Sequence, residues 1–330
     1  MLEVHRAARG GVGAVLLCLG LAAFALSAGW ASGAFYDGRF GPEGCAGPCS
    51  STVSAASVAP APSASQQLRP LSVPAEEADN DPPDFPYVSA RSIAIIDSAC
   101  GAQIYGRDEN LRLPPASLTK LMTAAVATDQ SSVDTLITSN VDGQKLYDET
   151  GSTIMGLKPG MELTLLDLLY GLLLPSGNDA AIAIAEGIST TQEQFVSLMN
   201  EKVKSLGLND SHFTNPHGLY EDGLYSSAYD MAMLARYAMQ NPELRTIVST
   251  ESWQPRWDGP EIWNGNRFIS EYDGADGVKI GYTEESAQTI VASATRDGRR
   301  IIASLMRSND RYQDAARVLD WAFDQASACP

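Results

Sequence analysis

The sequence predicts an α+β domain: an antiparallel sheet drawn from both ends of the folded region, with a helical block inserted between them. Two observations carry this. Strand patterns stand first and last, while the 3.6-residue apolar period dominates the middle. Segregated runs of strands and helices fit α+β architecture better than the alternating pattern of a parallel sheet.

Taken in order, residues 91–97 (Arg-Ser-Ile-Ala-Ile-Ile-Asp) read as a strand and 101–105 as its hairpin partner. A helix is expected from Ser117 to about Asp129, just after Pro114-Pro115, where proline is tolerated. Residues 164–174 form an apolar helix ending at Pro175. Residues 179–186 form another, with Gly187 as its stop. In 190–206, Thr190 and Glu193 read as a capping box. Phe195, Leu198, Met199, Val203 and Leu206 then recur at helical spacing before Gly207. Residues 227–239 are amphipathic. Residues 288–296 and 299–307 flank Asp297-Gly298, a strong hairpin signal. A last helix is expected over 311–326. Cys100 and Cys329 then fall near the same region of the sheet, so a bridge between them is expected.

The folded region is expected to span 87–330. Ahead of it, residues 37–86 are rich in Ser, Ala and Pro and cannot bury enough apolar surface to offset ordering. They read as a flexible linker. Cys45 and Cys49 within it suit a small local disulfide loop or two thiols with other partners. Residues 1–36 carry His5, Arg6 and Arg9 before an uncharged apolar run. They read as a signal peptide or a retained N-terminal membrane anchor.

Composition narrows the function. The chain has 330 residues, 44% hydrophobic and 19% charged, enough for a sizeable core. Lys and Arg number 23 against 40 Asp and Glu, a net charge of −17, which argues against nucleic acid. An anionic substrate would need a local cationic pocket. Of three histidines, His5 sits in the leader, which leaves His212 and His217. A histidine-rich zinc site is therefore not expected, and no cofactor is.

Three short motifs carry chemistry. In Ser117-Leu118-Thr119-Lys120, a hydroxyl and an amine stand at i and i+3, on one helical face. An adjacent base activates a serine, and a lysine can be that base when its surroundings keep it neutral. Ser176-Gly177-Asn178 follows at a turn between two apolar helices. Lys279-Ile280-Gly281 stands on an expected strand. Each is common alone, as an N-cap, a turn and a surface lysine. Their order is specific, and such a set marks penicillin-binding proteins and class A β-lactamases.

With these motifs the chain resembles the serine-type D-alanyl-D-alanine carboxypeptidases of the peptidase S11 family, low-molecular-mass penicillin-binding proteins. The likeness runs over about 90–323. It includes the run from Leu172 to Ala181, the loop Thr214-Asn215-Pro216-His217-Gly218-Leu219, and Asp276-Gly277-Val278-Lys279 leading into Gly281-Tyr282-Thr283. The resemblance implies a β-lactamase/transpeptidase-like fold. It implies Ser117 as nucleophile and Lys120 as base, with Lys279 nearby lowering the Lys120 pKa. Ser176 would relay a proton, and Asn178 would hold Lys120 or the substrate backbone. The oxyanion hole would use the backbone N–H groups of Ser117 and Tyr282, and Arg311 would bind the substrate carboxylate. The implied partners are a stem peptide ending in D-Ala-D-Ala and β-lactams as inhibitors. Many relatives continue into a β-rich domain and an amphipathic C-terminal anchor, whereas here the last helix leads to Pro330. Membrane contact is then expected only through the N-terminal segment of an exported protein.

One residue departs from the family. The third motif usually has Thr or Ser where this chain has Ile280. A weaker grip on the substrate carboxylate is expected. Alternatives in the same fold are a catalytically weak peptidoglycan or penicillin binder, a DD-endopeptidase and a β-lactamase. No E-x-x-L-N pattern supports the last. His217 is expected to be structural, since no Ser-His-Asp set fits. Trp253, Trp257 and Trp263 are read as core or surface packing ahead of a glycan-binding floor.

Overall fold

A computed structural model of the chain describes residues 81–330, except 258, 328 and 330. The N-terminal segment 1–36, most of the linker and the Cys45/Cys49 pair lie outside the described residues. In chain order, strands β1 (Ser92–Asp97) and β2 (Gln103–Arg107) come first. Helix α1 (Thr119–Gln130), β3 (Leu136–Ser139), α2 (Gly143–Thr150) and β4 (Met161–Thr164) follow. Helices α3 (Leu165–Leu173), α4 (Asn178–Ser189), α5 (Gln192–Leu206), α6 (Ala228–Ala238) and α7 (Pro242–Val248) complete the inserted block. The chain closes with β5 (Ser252–Trp253), β6 (Ile262–Trp263), α8 (Phe268–Glu271), β7 (Ala275–Thr283), β8 (Ala287–Arg296), β9 (Arg299–Ser308) and α9 (Arg311–Asp324).

The main sheet has the order β2-β1-β9-β8-β7, all neighbours antiparallel. Both chain ends build it, as the sequence predicts. Side chains alternate across the pleat. Ile93, Ile95, Ile290 and Leu305 pack with Val318 and Leu319 of α9 on one face. Ala94, Ile96, Val291 and Ile302 pack with Leu121, Leu168 and Met231 of the helical block on the other. Both faces are therefore buried, and β7 is left as an edge beside the turn that precedes α1. The β8–β9 hairpin turns at Asp297 and Gly298, with φ 50° and 79°, as a tight Asp-Gly turn requires. Cys100 and Cys329 are bridged, with Cα atoms 5.8 Å apart, tying the β1–β2 turn to the tail beyond α9.

Several sequence readings shift. Gly187 does not stop α4 but lies within it. A Cβ there would come 2.4 Å from Ile137 Cγ2, so glycine serves the approach of β3 to the helix. The cap of α5 is Thr191 rather than Thr190. Thr191 has the extended backbone of an N-cap and accepts from Gln194 N, while Thr190, at φ 68°, closes α4. The short β3–β4 and β5–β6 ladders, α2, α7 and α8 give too little pattern to be read from sequence. Trp253 stacks on Tyr170 with ring centroids 4.3 Å apart and, with Trp257, packs against the helical core. Trp263 is exposed.

The linker reading ends too late. Residues 81–86 belong to the fold. Phe85 stacks on Tyr105 at 3.9 Å and meets Trp321 edge-on. Trp321 Nε1 donates to Asp84 Oδ2 at 3.0 Å, and Asp81 pairs with Arg107. Composition hid this because one aromatic anchors an otherwise polar run. Phe85→Ala is expected to cost about 1–2 kcal/mol of stability, less than the roughly 1.5–3 kcal/mol of a fully buried aromatic because Phe85 is partly buried. Chemical denaturation measures it; an unchanged midpoint would contradict this anchoring.

Candidate active site

The site lies where the turn before α1 meets the edge strand β7. Ala116–Leu118 form a 3-10 turn that runs directly into α1. Ser117 and Lys120 straddle this junction and keep the i, i+3 relation. The turn is held under tension: Ala116 has φ 52°, a left-handed conformation that a Cβ disfavours. Neighbouring segments hold it there. Thr289 Oγ1 donates to Pro115 O at 3.3 Å. A Cβ on Gly218 would lie 2.0 Å from Ala116 O, and one on Gly281 would lie 2.9 Å from Ser117 N. Two glycines thus let the loop after α5 and strand β7 close on the serine from opposite sides.

Lys120 is fully buried. Its Nζ lies 3.0 Å from Ser117 Oγ, and it donates to Asn178 Oδ1 and to the His217 carbonyl, both at 2.6 Å. Burial holds its pKa well below the ordinary lysine value, and the positive charge of Lys279 pushes the same way. Asp179 opposes them. The sequence reading credited Lys279 with this effect; burial is the larger cause. Lys279 is itself buried on β7, with its Nζ donating to Ile280 O at 3.1 Å. Burial and the Arg311 guanidinium push it down to about 7.

The second motif supplies one wall. Ser176 has φ 67°, and its Oγ is buried with no hydrogen-bond partner. Asn178 is the first residue of α4, almost fully buried, and it holds Lys120. Segment 152–157 folds against this turn. Thr153 Oγ1 donates to Ser176 O at 2.7 Å, and Asn178 N donates to Thr153 O at 2.8 Å. Asp179 is fully buried and accepts from the backbone N–H groups of Met155, Gly156, Leu157 and Ala180.

The opposite wall is β7. Arg311, at the start of α9, donates through Nη1 to Gly281 O at 2.6 Å and Thr289 O at 3.3 Å, and through Nε to Gln288 Oε1 at 3.1 Å. Its Nη2 has no partner among the described residues. Ile280 packs partly against the α9 side of the core, and Tyr282 is 61% exposed at the rim. The walls enclose a cleft of about 630 Å³, whose lining includes Ser117, Ser176, Asn178, Lys279, Gly281 and Arg311.

All eight residues singled out from sequence therefore gather at one cleft, six of them in its lining together with Tyr282, and Lys120 beneath Ser117. Sequence reasoning missed three features. The backbone carbonyl of His217 holds Lys120. Its ring stays outside the chemistry, accepting from Leu219 N, and burial with the Lys120 charge pushes its pKa down to about 3. Thr153 and the fully buried Asp179 organise the wall. The Thr214–Leu219 run contains the first and the Leu172–Ala181 run contains Asp179, though neither marks these roles; nothing local in the sequence signals Thr153.

Gly218→Ala is expected to lower stability by more than about 2 kcal/mol, since its methyl would meet a backbone carbonyl and its φ is 89°. Thermal and chemical unfolding measure this; wild-type stability would contradict the close approach.

Residues 77–310 match the peptidase S11 family, described as D-alanyl-D-alanine carboxypeptidase. The chain is 37% identical to the D-alanyl-D-alanine carboxypeptidase DacF of Bacillus subtilis, over 73% of this chain and 64% of that one. It is 35% identical to DacB2 of Mycobacterium tuberculosis, over 73% of this chain and 84% of the relative. It thus spans less than two thirds of the Bacillus protein and most of the mycobacterial one. A Streptomyces DD-transpeptidase crystal structure superposes with a TM-score of 0.70 at 29% identity, covering 73% of this chain and 99% of that one. A carboxypeptidase structure from M. tuberculosis gives 0.69 at 32%, covering 76% and 97%. The match to the family over most of the folded region, and the likeness to relatives at this level, place the chain in the peptidase S11 family of D-alanyl-D-alanine carboxypeptidases.

Proposed function

We propose that this protein is a serine-type D-Ala-D-Ala carboxypeptidase. It removes the terminal D-alanine from peptidoglycan stem peptides through an acyl-enzyme on Ser117, and β-lactams acylate the same serine. The bonding around Lys120 Nζ carries this reading. A neutral amine has two N–H groups and one lone pair. Two carbonyls, Asn178 Oδ1 and His217 O, take both N–H groups. The remaining contact, with Ser117 Oγ at 3.0 Å, is one in which an ammonium donates and a neutral amine turns its lone pair to the hydroxyl, within proton-transfer distance.

Ser117 Oγ then attacks the carbonyl between the last two residues and gives its proton to Lys120. The backbone N–H groups of Ser117 and Tyr282 receive the developing oxyanion, an arrangement that the approach of Gly281 to the serine supports. The C–N bond breaks as Ser176 relays a proton from Lys120 to the leaving amine. Its unpartnered, buried Oγ suits that task. Water, deprotonated by Lys120, next cleaves the ester and frees the shortened peptide. Lys279 and the free Nη2 of Arg311 bind the terminal carboxylate, and the planar guanidinium suits it. A net-acidic protein thereby keeps its cations where an anionic peptide end must dock. The Cys100–Cys329 bridge supports an oxidising compartment outside the cytoplasm, with the N-terminal segment as the export signal or anchor.

Two outcomes test this. A peptide ending in D-Ala-D-Ala should release D-alanine, and Ser117→Ala should reduce the rate by about a thousandfold or more. A penicillin adduct on Ser117 without D-alanine release would instead make the protein a binder. Ile280→Thr should tighten carboxylate binding by about ten- to a hundredfold, the worth of roughly 1.5–3 kcal/mol for a hydrogen bond to a charged group. Unchanged rates of penicillin acylation and D-alanine release would overturn the role given to this position.

A further inference from the structure

Asp179 stands beside the second motif and has no part in the steps above. It is fully buried, and each of its oxygens takes two backbone donors. Oδ1 accepts from Met155 N and Ala180 N, and Oδ2 from Gly156 N and Leu157 N, all at 2.8–2.9 Å. One carboxylate thus satisfies a turn of the 152–157 wall and the open N-terminus of α4, where helix dipoles favour negative charge. Space around it is fully used. A Cβ on Gly143 would lie 2.6 Å from Oδ2, and one on Gly177 would lie 2.8 Å from Oδ1.

This anchoring reaches the reacting groups. The wall that Asp179 folds carries Thr153, which bonds to Ser176 O and accepts from Asn178 N. Asn178 holds Lys120. The charges acting on Lys120 are Lys279 from β7 and Asp179 from α4, with the buried His217 beside it and Arg311 acting through Lys279. Asp179 is the anion of this group. It forms no direct ion pair with Lys120 among the described residues, so it leaves the two N–H groups and the lone pair where proton transfer needs them.

We propose that Asp179 is a positioning residue for proton transfer: it folds the 152–157 wall onto Ser176 and Asn178, and its fixed charge stabilises Lys120 once Lys120 has taken the serine proton. The benefit is differential. Before transfer Lys120 is neutral and gains little from a nearby anion; after transfer it is a buried ammonium beside Lys279 and gains most. The inference rests on Lys120 acting as the base.

The test is the pH profile of Ser117 acylation by a fluorescent penicillin, over about pH 4 to pH 10. Labelling of the wild-type serine reports on the function proposed above; the position of the acid limb among variants reports on Asp179. Acylation requires neutral Lys120, so the rate rises through its pKa. Asp179→Asn removes a charge that raises that pKa, so the limb should move to lower pH while the plateau falls about ten- to a hundredfold. Asp179→Glu keeps the charge but cannot serve the same four donors, so its plateau should fall with the limb in place. Thr153→Ala, which loosens the wall without changing charge, should also leave the limb in place. A folded Asp179→Asn protein with a wild-type limb would overturn the proposal. If Asp179→Asn does not fold, a limb displaced in Asp179→Glu or Thr153→Ala would overturn it, and an undisturbed limb with a lowered plateau supports it.

Discussion

The structure depends on the burial of one amine. Lys120 sits with no solvent exposure inside the domain, and an isolated buried ammonium is costly. The fold does not surround it with ion-pair partners. It offers two carbonyl oxygens at 2.6 Å and a serine hydroxyl at 3.0 Å in place of an ion pair, and burial holds the amine's pKa well below the ordinary lysine value. A second buried cation at Lys279 sharpens the preference for the neutral form. What would be a liability in a structural core is, in the proposed mechanism, what activates the adjacent serine.

The scaffold exists to hold groups that are far apart in sequence around that amine. The sheet takes strands from both ends of the folded region, which puts β7 and its Lys279 against the turn that carries Ser117. The helical block delivers Asn178 at the start of α4 and the His217 carbonyl from the loop beyond α5. Glycines set the final distances: Gly218 and Gly281 let two backbones close on the strained Ala116–Ser117 turn where a methyl would collide. Strain beside Ser117 is thus held in place by packing from two segments.

Much of this was legible in the sequence, and the reasons are physical. The β8–β9 hairpin announced itself through Asp297-Gly298, whose positive φ values the turn demands. The Ser117/Lys120 relation follows from helical spacing alone. The order of three short motifs then gathered Ser176, Asn178 and Lys279 into one site, and the family resemblance added Arg311. Other features resist reading. The hold of His217 on Lys120 is a backbone carbonyl and leaves no mark on residue type. Asp179 looks like an ordinary first-turn acid until the four N–H groups converge on it. Thr190 and Thr191 are both good caps, and only the backbone at the α4–α5 junction decides between them. Residues 81–86 look like linker, because Phe85 is the lone aromatic in a run of Asp and Pro.

The account turns on the protonation state of Lys120 before any substrate binds. It can be read directly by NMR of the folded protein with lysine labelled at Cε, assigning the signal by its loss in Lys120→Met and following it with pH. The structure predicts an amine that titrates well below an ordinary lysine. A Lys120 signal that stays charged through neutral pH and titrates with the surface lysines would contradict it.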